Sequence, residues 1–105
     1  MDIATGSSVI VHVPYALRAQ LGNRRQVAAS GATIRDVINC LEREYPGVKF
    51  SLCHETGELR PFVNIFLNRE SIRYMQGLDT LVQPGAIVHI MHSVAGGSTS
   101  VSELQ

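Results

Sequence analysis

Residues 33–47 read TIRDVINCLEREYPG, and the placement of apolar side chains in that stretch decides the fold. Thr33, with Asp36 three positions on, resembles a capping box, the local signature of a helix start. Ile34, Val37, Ile38, Leu41 and Tyr45 then recur at helical spacing until Pro46-Gly47 stops the run. Arg35, Asn39, Glu42 and Arg43 fall on the other side, so one apolar stripe is expected to lie against a sheet. Asp36, Glu42 and Glu44 read as capping and solvated helix charges.

Upstream, Val9, Val11 and Val13 alternate with Ile10 and His12 before Pro14, the period of a strand. A polar-apolar stretch runs to the turn signal Gly22-Asn23. Arg24 to Ala29 then offers a second, edge strand with Val27 as its one large apolar residue. Downstream, residues 46–61 show no clear period and read as a long loop with one anchored turn at Phe50 and Leu52. Phe62 to Asn68 alternates again, Val63, Ile65 and Leu67 facing one way and Phe62, Asn64 and Phe66 the other. A polar turn at Asn68-Arg69-Glu70 leads to a hairpin partner at Ser71 to Arg73. After the turn Pro84-Gly85, the last strand spans Ala86 to His92, with Val88 and Ile90 opposed to Ile87, His89 and Met91. A helix between strands of one sheet requires a crossover that leaves its flanking strands parallel or nearly so. The expected class is α+β, a mixed sheet of four to five strands covered by one main helix.

The chain has 105 residues, 45% of them hydrophobic, enough for one modest core. Nine basic residues balance nine acidic ones, so no net field recruits a nucleic acid or an anionic membrane. Lys49 is the only lysine. Cys40 and Cys53 lack the spacing of a zinc or disulfide framework and read as reduced thiols. Met1 to Ser8 holds no basic region followed by an apolar run, and no stretch approaches the roughly 20 apolar residues that span a bilayer. A soluble cytoplasmic protein is expected.

After the last strand come Val94, Ala95, Gly96 and Gly97, and then the serine-rich residues 98–105. Two adjacent glycines bring no side chain to a core and leave the backbone free to move. Such a thread suits an enzyme that draws the main chain through a slot too narrow for a β-carbon. The same pair also suits the start of a flexible tail, and composition alone favours that blander alternative. The expected organisation is a domain over residues 1–97 and a flexible segment over 98–105.

Three segments, Phe62-Val63-Asn64-Ile65-Phe66-Leu67-Asn68, Val82-Gln83-Pro84-Gly85-Ala86-Ile87-Val88 and Val94-Ala95-Gly96-Gly97, together resemble the MoaD/ThiS family of sulfur carriers. The resemblance covers about Val9 to Gly97. Glu44-Tyr45-Pro46-Gly47-Val48 and Arg60-Pro61-Phe62-Val63-Asn64-Ile65 look most like the CysO-like subgroup, which carries sulfur for cysteine biosynthesis. The family often has an acidic residue after the glycine of the turn and prolines before the tail, where this chain has Ala86 and His92-Ser93.

The resemblance implies a ubiquitin-like β-grasp fold and a protein that is a co-substrate rather than an enzyme. An E1-like enzyme would use ATP to adenylate the Gly97 carboxylate, and sulfide transfer would give a thiocarboxylate. No cofactor is expected on the chain itself. Residues 98–105 follow Gly97, so activation calls for a JAMM-type metallopeptidase or another processing protease; the other possibility is a tail that abolishes carrier function. The sulfur acceptor would be an enzyme such as a cysteine synthase, with thiamine, molybdopterin or another sulfur-containing metabolite as further destinations.

Phe66, Ile87, His89 and Met91 lie on the outward side of their strands and are the candidate partner-binding surface, weighed against ordinary scattered exposure of apolar residues. Cys53-His54 reads as a loop thiol beside an unrelated histidine, since adjacent side chains usually point apart and no orienting group is evident. His12, His54, His89 and His92 lack tight ligand spacing, so no metal site is expected. Two rivals stand beside the carrier: a ubiquitin-like modifier joined through Gly97 to lysines, and a non-catalytic interaction module with an inert tail.

Overall fold

The computed structural model describes residues 7–92. The strands are β1 (Ser7–His12), β2 (Gln26–Gly31), β3 (Val63–Leu67), β4 (Glu70–Ser71) and β5 (Ile87–His92), with helices α1 (Ile34–Glu44) and α2 (Val48–Leu52). They form one five-stranded sheet in the order β2-β1-β5-β3-β4. β1 and β5 pair in parallel, while β1–β2, β3–β5 and β3–β4 pair antiparallel. By those pairings β2 and β3, the strands flanking the helices, run parallel without touching, as the crossover demands.

α1 begins where its sequence says it does. Thr33 is extended and its hydroxyl accepts from the Asp36 N–H at 3.2 Å, and Tyr45 ends the helix with its N–H on the Leu41 carbonyl. Ile34, Val37, Ile38 and Leu41 are buried against the inward residues of the sheet: Val9 and Val11 of β1, Val27 and Ala29 of β2, Val63, Ile65 and Leu67 of β3, and Val88 and Ile90 of β5. The edge position expected for the second strand is the observed one. α1 crosses β2 so closely that a β-carbon on Gly31 would lie 2.7 Å from Asp36 Cβ and from Val37 N.

Four local expectations need correction. The stretch after Pro14 is a 3-10 helix, Tyr15–Leu21, that buries Leu17 and Leu21 and ends on left-handed Gly22. Residues 46–61 hold α2, whose Val48 and Leu52 are fully buried, whereas Phe50 is 65% exposed beneath the Arg60 guanidinium and anchors nothing in the core. Glu42 is more than a solvated charge, because its carboxylate accepts from the Gly47 and Lys49 N–H groups at the start of α2. The hairpin partner of β3 is Glu70–Ser71, and Ile72–Tyr74 leaves the sheet as a 3-10 turn. Its two-residue loop is Asn68-Arg69, both at positive φ of 50° and 82°, the conformation whose twist matches a hairpin.

Candidate functional site

Gly97, Gly96, Ala95 and Val94 lie outside the described residues, so the site is built from the strand that leads to them. β5 is central, hydrogen-bonded to β1 on one side and β3 on the other. Its start is pinned as well: Asn68 N donates to the Ile87 carbonyl and Asn68 Oδ1 accepts from Ile87 N, both at 2.9 Å. The strand therefore presents its end, His92, from a rigid platform.

The sheet face away from α1 carries the other candidates. Cross-strand register sets Phe66 beside His89, Ile10 beside Ile87 and His12 beside His89, so Phe66, Ile87, His89 and Met91 share one face. Ile87 and Met91 are 39% and 49% exposed; Phe66 and His89 are half-buried. Ile10, 39% exposed, extends the apolar surface and was missed, although its alternation with Val9 and Val11 already pointed it outward.

At the end of β5 this face passes into an open pocket of about 400 Å³ lined by His12, Val13, Pro14, Arg18, Arg25, Gln26, His89, Ile90, Met91 and His92. The His12 and His89 rings lie 4.3 Å apart between centroids, and Gln26 Nε2 is 3.4 Å from His12 Nε2. Partial burial, then the neighbouring His12 and Arg69, push the His89 pKa below its ordinary value. His92 packs edge-on against Phe62, and its Nδ1 is buried with no hydrogen-bond partner.

Cys53 is not an accessible loop thiol. It caps the end of α2, is 2% exposed, and its pKa is raised by burial, which outweighs Lys49, Arg35 and Arg60 nearby. A protonated, enclosed thiol beside an exposed His54 has no nucleophile chemistry to offer. Among the described residues, no group of three or more His, Cys, Asp and Glu is placed to hold a metal ion, and no helix is long and apolar enough to cross a membrane.

The family model for the ThiS family matches residues 11–97. The sulfur carrier protein CysO of Mycobacterium tuberculosis is 40% identical over 92 residues, covering 86% of this chain and 99% of CysO; its crystal structure superposes with a TM-score of 0.78. A chain in the crystal structure of the Amycolatopsis orientalis BexX/CysO complex is 36% identical, covering 85% of this chain and 99% of its own, with a TM-score of 0.79. Small archaeal modifier protein 3 of Haloferax volcanii is 38% identical over 66 residues, 63% of this chain and 71% of that protein. The sheet order, the covering helix and these likenesses identify the fold as the ubiquitin-like β-grasp, and the chain belongs to the ThiS family.

Proposed function

We propose that this protein is a sulfur carrier whose working atom is the carboxylate carbon of Gly97, and that cysteine biosynthesis is the destination of the sulfur. The observation that carries this is the 40% identity to a sulfur carrier, CysO, across 99% of that protein's length. The family match ending on the second glycine, at residue 97, supports Gly97 as the reacting residue and residues 1–97 as the working domain. A protease of the JAMM type or another processing enzyme first removes residues 98–105. An E1-like enzyme then joins the freed carboxylate oxygen to the α-phosphorus of ATP, releasing pyrophosphate. Sulfide attacks the acyl carbon, AMP leaves, and the thiocarboxylate that remains is a good nucleophile at neutral pH. ATP belongs to the activating enzyme, and the carrier binds no cofactor. Val94, Ala95 and Gly96 thread into that enzyme, while Phe66, Ile87, His89 and Met91 dock on its surface. The final acceptor is a cysteine-synthase-like enzyme in the cytoplasm.

The test is intact-mass measurement of the chain ending at Gly97 after incubation with ATP, the E1-like enzyme of the same organism and sulfide. A mass rise equal to one sulfur replacing one oxygen is expected, confined to the C-terminal residue in fragment spectra; a rise that maps to any other residue would exclude Gly97 as the reacting residue. The likeness to small archaeal modifier protein 3 favours a second reading, conjugation through Gly97 to lysines of other proteins. That reading predicts larger, hydrolysis-resistant adducts on a second protein in the same reaction.

A further inference from the structure

We propose that the pocket at the end of β5 is a docking site for a carboxylate side chain of the protein that takes up the tail. The proposal rests on the carrier reading and adds the chemistry of the partner.

The zero net charge of the chain conceals a local accumulation. β1 and β5 run parallel and β2 antiparallel to β1, so the ends of β1 and β5 and the start of β2 meet at one edge of the sheet. Every ionisable side chain lining the pocket there is basic: Arg18, Arg25, His12, His89 and His92, with no Asp or Glu among them. Among the described residues the fold supplies no anion to it. Among the described residues the one ion pair is Arg35–Asp79, which involves α1 and not this edge. Arg18 donates to the Val13 carbonyl at 3.4 Å and lies 5.5 Å from the centre of the Tyr15 ring, which orients its guanidinium without neutralising it. Arg25 is exposed.

Position decides what fills the pocket. His92 lines it and is also the last residue of β5, five positions before Gly97. Five residues span at most about 17 Å, so an enzyme that holds Gly97 comes close to this edge. His89 and Met91 belong to both the pocket and the exposed apolar face. A partner covering that face therefore brings its rim over Arg18 and Arg25. Arginine forks match carboxylates bidentately, and such pairs at an interface rim set docking rate and salt dependence. A nucleic acid would need a longer basic stripe than two arginines in one concavity provide.

The test has two arms. In the first, the full chain is titrated with hexaglutamate, with hexaglutamine and with inorganic phosphate, while the imidazole signals of His12, His89 and His92 are followed by NMR. Hexaglutamate is expected to shift these signals and hexaglutamine is not, and the response is expected to vanish in Arg18→Gln/Arg25→Gln. The single Arg25→Gln variant, which breaks no hydrogen bond to the backbone, is expected to reduce it. An equal response to hexaglutamine, or phosphate displacing the peptide at equal concentration, would overturn the proposal. In the second arm, affinity for the E1-like enzyme is measured against salt. The double variant is expected to bind roughly tenfold more weakly with a shallower salt slope, yet to reach full sulfur loading at saturating enzyme. Unchanged affinity and slope would reject the pocket while leaving the carrier reading standing. A wild-type chain that never loads sulfur would reject the carrier reading, and the peptide arm would still decide the pocket.

Discussion

The imidazoles of His12 and His89 face each other across the parallel β1–β5 ladder, 4.3 Å apart between centroids and tilted by 48°. Partial burial and the neighbouring His12 and Arg69 hold His89 below its ordinary pKa. The folded state thus binds fewer protons than the unfolded chain once pH falls below about 6.5. Stability is expected to be full above that pH and to decline as pH drops toward the folded value. Urea midpoints of wild type and His89→Asn across pH 5 to 8 check this; the variant is expected to lose part of the decline.

Glu42 gives an acid limb of its own. Its carboxylate accepts from the Lys49 and Gly47 N–H groups, and those two bonds, in that order, lower its pKa below 4.5. This stabilisation is present above pH 4.5 and is lost as pH falls through the folded value. Glu42→Gln is expected to lower the melting temperature at pH 7 and to flatten the stability profile below pH 4.5. Thermal melts at pH 3, 4 and 7 decide it.

Gly31 is required by distance. A β-carbon there would sit 2.7 Å from the backbone nitrogen of Val37, and a helix backbone moves less readily than a side chain. Gly31→Ala is expected to destabilise by about 1–3 kcal/mol, the usual range for overpacking. Ser30→Ala, one residue earlier and exposed, serves as the control in urea unfolding and is expected to stay within about 0.5 kcal/mol of wild type.

Arg69 is held at a φ of 82° in the second position of the hairpin loop, where a β-carbon is disfavoured. Arg69→Gly is expected to raise stability by about 1 kcal/mol. A fall in the urea midpoint would mean that contacts of the arginine side chain outweigh the backbone strain.

On the exposed sheet face, Ile87→Glu and Met91→Glu place a charge where the carrier reading puts a partner. Both side chains are substantially exposed, so stability is expected to change by no more than about 0.5 kcal/mol. Sulfur loading by the E1-like enzyme is expected to fall at least tenfold in kcat/KM. Equal loading of wild type and both variants would remove this face from the docking surface.

Much of this architecture is written in local patterns. The cap of Thr33 and the stripe from Ile34 to Leu41 specify α1, and period-two alternation specifies β1, β3 and β5, because each buries one face against the same core. α2 escaped notice because five residues give too little period to read. Its stability comes from Val48 and Leu52 in the core and from Glu42, which reaches across from α1. Leu17 and Leu21 likewise show their purpose only once packed. The basic pocket was illegible for another reason: His12 and His92 end β1 and β5, Arg18 sits on the 3-10 helix and Arg25 just before β2, and only the fold brings all four to one edge. Alternation did show that Ile87, His89 and Met91 share a side; register then brought Phe66 and Ile10 beside them.

The placement of β5 between β1 and β3 has a mechanical consequence. Force applied at His92 along β5 shears two ladders at once, one parallel and one antiparallel, so many hydrogen bonds must fail together rather than in succession. Under the carrier reading, a partner that pulls on the chain beyond β5 loads both ladders together and does not peel one away from the body.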